Sequence, residues 1–165
     1  MAGIVAYGAY VPYWRLQRGT IGAALGTGGG KGSRAVASYD EDTTSMAVEA
    51  SRIALRNAGA NYTPWSLWFA TTEPAYLDKT NANIIHAALS LPGSTSAFDT
   101  IGSVRSGVAA AIGAGGGTSM AVLSDIRTGL AGGADESSGG DGAAAICFGT
   151  EGVIAEVIGG AGSTA

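Results

Sequence analysis

Residues 103–115 read SVRSGVAAAIGAG, a helix with small or apolar residues on nearly all sides. A surface helix carries a polar stripe, and one without a wet face has to be covered all round. The run before it, TSAFDTIG over 95–102, reads as a buried strand, so the chain turns sharply from strand to helix near Gly102. Elbows of this kind usually present a nucleophile to a pocket. Here the tip offers Ser103, Val104, Arg105 and Ser106, and no cysteine.

The remaining segments alternate in the same way. GIVAYGAYVP, Gly3 to Pro12, is short and apolar, and Pro12 ends it as a strand. The glycine-heavy stretch from Gly19 to Ser38 reads as a loop. YDEDTTSMAVEASRIALRNAG is a helix capped by Asp42 or Thr43. Its apolar stripe is Met46, Ala50, Ile53 and Ala54, and Gly59 ends it. A second strand covers Ser66–Pro74, and a second helix covers Asn81–Leu91 before Pro92-Gly93. A fourth strand covers Thr118–Ile126, and a polar, glycine-rich loop follows it to Asp141. GAAAICFG and GVIAEVIGGA read as two last strands joined at Thr150-Glu151 as a hairpin. The order β-α-β-α-β-α-β-β predicts an α/β fold. Its sheet is five-stranded, mixed and mostly parallel, with helices on the faces and an antiparallel terminal edge.

Only 13% of the 165 residues are charged and 46% are hydrophobic, so part of the apolar surface is expected to meet another chain or a missing domain. The net charge is −4 with no run of Lys or Arg, which argues against a nucleic-acid partner. One Cys and one His exclude an internal disulfide and leave almost no scope for a His/Cys zinc site. Reduced, cytoplasmic conditions fit this usage. The N-terminus lacks the pattern of a signal peptide, and no apolar run approaches the ~20 residues that span a bilayer.

Candidate chemistry is sparse. GTGGGKGS invites comparison with a phosphate loop, but the first glycine position falls on Leu25 and Gly32 follows Lys31, so the Walker spacing fails. That leaves a flexible loop, or Lys31 and Arg34 meeting a substrate phosphate. Glu73 ends the second strand, where ligands of open α/β sheets bind, and a carboxylate there can be a general acid or base or a plain solvated side chain. His86 has apolar neighbours and reads as a packed or interface residue. Cys147 reads as a small core thiol. A serine nucleophile at 103 or 106 would need His86 as its base, and helix capping by Ser103 is the simpler role.

Taken together, GIVAYGAYVP, KGSRAVASYDEDTTSMAVEASRIAL, WFATTEPAYLDKTNANIIHAAL, AFDTIGSVRSGVAAA, VLSDIRTG and GGDGAAAICFG resemble the N-terminal half of a thiolase-fold enzyme. The similarity is to the 3-hydroxy-3-methylglutaryl-CoA synthase family, particularly its actinobacterial thiolase-like members. It implies one N-terminal thiolase-like domain over residues 1–165, with the C-terminal half absent. It sets Glu73, in TTEP, where the family keeps its general acid/base. It sets Val104, five residues beyond Asp99, where the family keeps its nucleophilic cysteine. Valine cannot form an acyl-thioester. The family's histidine and much of its coenzyme A pocket come from the other half. The implied activity is acyltransfer, condensation or aldol-type cleavage on an acyl-CoA substrate. No resident cofactor or metal is implied, and a small partner with an oligonucleotide-binding-type fold is sometimes present. The alternative is a non-catalytic half, natural or engineered, that self-associates. The family placement and the loss of thioester chemistry are both tied to a bend at Gly102 that carries Val104 off the strand and out of water.

Overall fold

The computed structural model describes residues 2–28 and 30–160. Its main sheet has six strands in the order β5-β4-β6-β7-β1-β8. These are β1 (Gly3–Tyr10), β4 (Ser66–Thr71), β5 (Ser96–Ile101), β6 (Ser119–Asp125), β7 (Gly142–Gly149) and β8 (Ala155–Glu156). β4 pairs in parallel with β5 and β6; β7 runs antiparallel to both β6 and β1, and β8 antiparallel to β1. Four of the six strands, β1, β4, β5 and β6, therefore point the same way, as expected of a mostly parallel α/β sheet.

The tail differs from its expected form. β7 and β8 make no hairpin, because both edges of β7 are already taken by β6 and β1. The tail can add only at the outer edge of β1, where Ile154 N–H donates to Ile4 O at 2.8 Å. With β8 the sheet has six strands, which matches the number of strand segments read from the sequence and corrects the five-stranded sheet expected from the order β-α-β-α-β-α-β-β.

A second difference lies before Ser38. The glycine-heavy segment is not one loop. It holds nearly all of α1 (Arg18–Leu25) and the whole of β3 (Ser33–Val36), and β3 pairs with β2 (Trp14–Gln17), just ahead of the segment, as a separate antiparallel hairpin. Ala23, Ala24 and Leu25 carry α1 to its end, and Gly26 stops it in the left-handed region at φ 65°. Glycine content hid this short helix.

Helix α2 (Thr43–Ala58) forms as its sequence demands. Asp42 accepts from Ser45 N–H at 2.7 Å, and Ser45 Oγ accepts from Asp42 N–H at 2.8 Å, a reciprocal cap. With α3 (Asn81–Ala88) it covers one sheet face. Met46, Ala50, Ala54, Leu67, Phe69, Ile85, Met120 and Val122 are buried there.

The other face carries only α4 (Arg105–Ala114). Ala110 and Ala114 pack on Ala70, Ala121 and Phe148. The outward side of α4 is bare: Val104, Val108 and Ile112 are 70%, 58% and 75% exposed. The expectation of a helix covered all round is met on its inner side alone, because the described residues place nothing over the outer one. Among them, no helix is long and apolar enough to cross a membrane.

Candidate active site

The carboxyl ends of β4, β5 and β6 lie side by side. Parallel register sets Thr71 opposite Ile101, so Glu73 and Val104 leave adjacent strands at one edge. Gly102 makes the elbow at φ 126°, a conformation an L side chain resists, and its N–H donates to Thr71 O at 3.3 Å. Val104 follows as the N-cap of α4, off the strand as required. It is not out of water. Its 70% exposure corrects that part of the expectation, and the cause is the uncovered side of α4.

Glu73 has an exposed side chain on a fixed backbone. Its N–H donates to Thr71 Oγ1 at 3.1 Å, and its carbonyl accepts from Thr43 Oγ1 at 2.9 Å. Asp125, at the end of β6, reinforces this segment. Its Oδ1 accepts from Thr71 Oγ1 (3.1 Å), Thr72 N–H (2.7 Å) and Thr72 Oγ1 (2.9 Å). Sequence reading missed Asp125 and Thr71, and gave Thr43 only the role of a candidate helix cap. The available signal was an acid closing a buried strand, which has to find donors.

Arg127 extends from the same edge. Its guanidinium bonds Asp135 Oδ1 at 2.7 Å. That contact raises its proton affinity, and the more distant charges of Asp125 and Glu73 add to the effect. A cation thus lies within electrostatic reach of Glu73.

The other candidates separate. Lys31 is exposed. Arg34 is buried. It pairs with Asp141 at 3.0 Å and donates to the carbonyls of Arg127, Asp135 and Glu136, so its guanidinium is committed inside the chain rather than offered to a phosphate. Asp99 points back to α3 and accepts from Asn81 and Ala82. His86 lies in the last turn of α3 with Nε2 3.0 Å from Pro92 O. Ser103 does not cap α4; its own N–H donates to Ser106 Oγ at 3.3 Å, because Val104 takes the cap position. Neither serine meets an imidazole among the described residues.

Cys147 is buried in β7, and burial pushes its thiol up to about 12, with a smaller opposing contribution from Tyr62. Iodoacetamide at pH 8 should therefore leave the folded chain unmodified and alkylate it fully in denaturant, read by intact mass. Rapid native alkylation would contradict the packing of β7.

No family model matches the chain. The hydroxymethylglutaryl-CoA synthase of Pyrococcus furiosus is 34% identical over 156 residues, covering 89% of this chain and 45% of that protein. The Archaeoglobus fulgidus enzyme of the same name is 34% identical over 167 residues, covering 96% and 48%. The chain thus spans about half the length of these curated relatives. Among solved structures, MvaS in complex with 3-hydroxy-3-methylglutaryl coenzyme A superposes with TM-score 0.80 at 23% identity, over 92% of this chain and 40% of that one. The superposition carries the fold. The chain has the fold of these thiolase-like structures, and over most of its length it is similar in sequence to about half of a hydroxymethylglutaryl-CoA synthase.

Proposed function

We propose that the chain supplies one half of an acyl-CoA-handling enzyme that makes or breaks carbon–carbon bonds, with Glu73 moving the proton and no acyl group carried on residue 104. The observation that carries this reading is the geometry at the carboxyl edge. Glu73 is pinned by its backbone on both sides, and Val104 occupies the adjacent elbow. A carboxylate held there can take a proton from the carbon beside a thioester carbonyl, or return one to the alkoxide left by an aldol step. Valine offers no electron pair for a covalent acyl intermediate. Exposed Lys31 is the cation free to meet the phosphates of coenzyme A, and Arg34 takes no part in binding. The thioester is substrate, not resident cofactor, and the setting is cytoplasmic.

Alone, the chain is inactive as an acyltransferase. The sequence contains one histidine, and it is engaged at the far end of α3. Val104→Cys should therefore give neither an acyl-enzyme mass increase with acetyl-CoA nor condensation product. A stable adduct on the new thiol together with turnover would overturn this. Fluorescence titration of the unmodified chain with acetyl-CoA tests binding itself. Saturable quenching supports the reading, and none at millimolar ligand, with the second half restored as well, counts against it.

A second reading rests on the bare stripe Val104, Val108 and Ile112: a non-catalytic half that associates with its own copies through α4.

A further inference from the structure

The hairpin β2–β3 and the loop 127–140 are unlike the rest of the molecule. A two-stranded hairpin is marginal alone, and every residue of β2 is exposed. The loop holds one short helix, α5 (Ala134–Ser138), with no buried residue. Neither segment has a core of its own.

Between them lies the buried pair Arg34–Asp141, with side chains 7% and 3% exposed. Arg34 Nη2 donates to Arg127 O at 2.8 Å, and Nη1 donates to Asp135 O and Glu136 O at 3.1 and 3.2 Å. Asp141 Oδ1 accepts from Arg127 N–H and Oδ2 from Ala37 N–H, both at 2.8 Å. Five backbone groups from two distant segments thus converge on one ion pair. Outside it, Asp141 N–H donates to Ala35 O at 3.1 Å, and Arg18 Nη2 donates to Ser138 O at 3.3 Å. A buried pair contributes little net stability, because desolvation offsets attraction, and its best-attested service is to fix one arrangement over others.

We propose that Arg34–Asp141 is a latch that joins residues 14–36 and 127–140 into one cooperative unit, which opens as a whole while the main sheet stays folded. The unit is rooted at the candidate site. Arg127 lies two residues beyond Asp125, whose carboxylate holds the end of β4. Lys31 travels with the hairpin. Opening the latch would therefore move the Arg127 loop, whose charge reaches Glu73, together with the hairpin that carries Lys31. The inference concerns folding units and stands without the catalytic reading.

Amide exchange followed by NMR in the full chain tests it. Thr27 N–H, bonded to Gly22 O, and Ser137 N–H, bonded to Gly133 O, report on the two segments without touching the pair. In the unmodified chain, their exchange should follow one opening free energy and one denaturant slope, below those of the β4 and β6 amides. In Asp141→Asn both should accelerate together, by about tenfold or more, with β4 and β6 unchanged. Acceleration confined to Ala37 and Arg127 would reduce the pair to a local contact. Different slopes for Thr27 and Ser137, or equal acceleration in β4 and β6, would also overturn the proposal.

Discussion

Gly8→Ala is expected to be the most destabilising single substitution in the chain. Gly8 lies in β1 against the middle of α2. A methyl group there would come within 2.4 Å of Ala50 O, 2.5 Å of Ala54 N and 2.9 Å of Ile53 Cβ. Two of these atoms are helix backbone, which cannot swing aside. Relief requires lifting α2, which also withdraws Met46, Ala50 and Ala54 from the core. Overpacking of this kind costs about 3 kcal/mol or more, a large share of the ~5–15 kcal/mol that holds a domain together. Gly107→Ala makes the informative contrast. The added methyl lies 2.4 Å from Leu123 Cδ2, the far end of a flexible side chain, and alanine suits a helix better by about 1 kcal/mol. Urea titration followed by circular dichroism should show little change at 107 and a midpoint moved far to lower urea at 8. Coincident curves for Gly8→Ala and the unmodified chain would refute the packing of β1 on α2.

Asp99→Ala ranks next. Asp99 Oδ2 accepts from Asn81 N–H at 2.8 Å and Asn81 Nδ2 at 3.1 Å, and Oδ1 accepts from Ala82 N–H at 2.7 Å. The two backbone N–H groups are orphan donors of the first turn of α3, so the carboxylate of one strand caps the neighbouring helix. Asn81 is fully buried and also holds the backbone of Tyr76, bonding both its N–H and its carbonyl at 2.9 Å. Losing Asp99 leaves buried donors unpaired and loosens the segment that leads from Glu73 into α3. The expected cost is about 2–3 kcal/mol. Asp99→Asn should lose less, since one acceptor oxygen remains. Equal stability of all three forms would show that the cap contributes nothing.

Local sequence made much of the frame legible. The apolar runs that became β4, β5 and β6 were bounded by turn residues, and α2 carried its start at Asp42 and its stop at Gly59. Such patterns report which residues need cover, not which element supplies it. That is why the edge chosen by β8 was misread: it depends on β7 being enclosed by β6 and β1. For the same reason the sequence of α4 demanded burial on sides that this chain leaves bare. At the site, the positions of Glu73 and Val104 followed from strand ends and resemblance. The environment of Arg34 did not, because its counter-ion lies 107 residues away, and distance in sequence hid a buried pair that looked like a free cation. Asp125 was hidden likewise: its partners, Thr71 and Thr72, belong to the neighbouring strand, and only the sheet register brings them together.

The account rests on one face of the sheet being left for another polypeptide to close. Sedimentation of the chain, with and without Val108→Lys and Ile112→Lys together, tests this most directly. The unmodified chain should sediment as a dimer or larger species at micromolar concentration, and the double variant should be a folded monomer. A monomeric, fully stable unmodified chain across that range would show that the exposed side of α4 needs no partner.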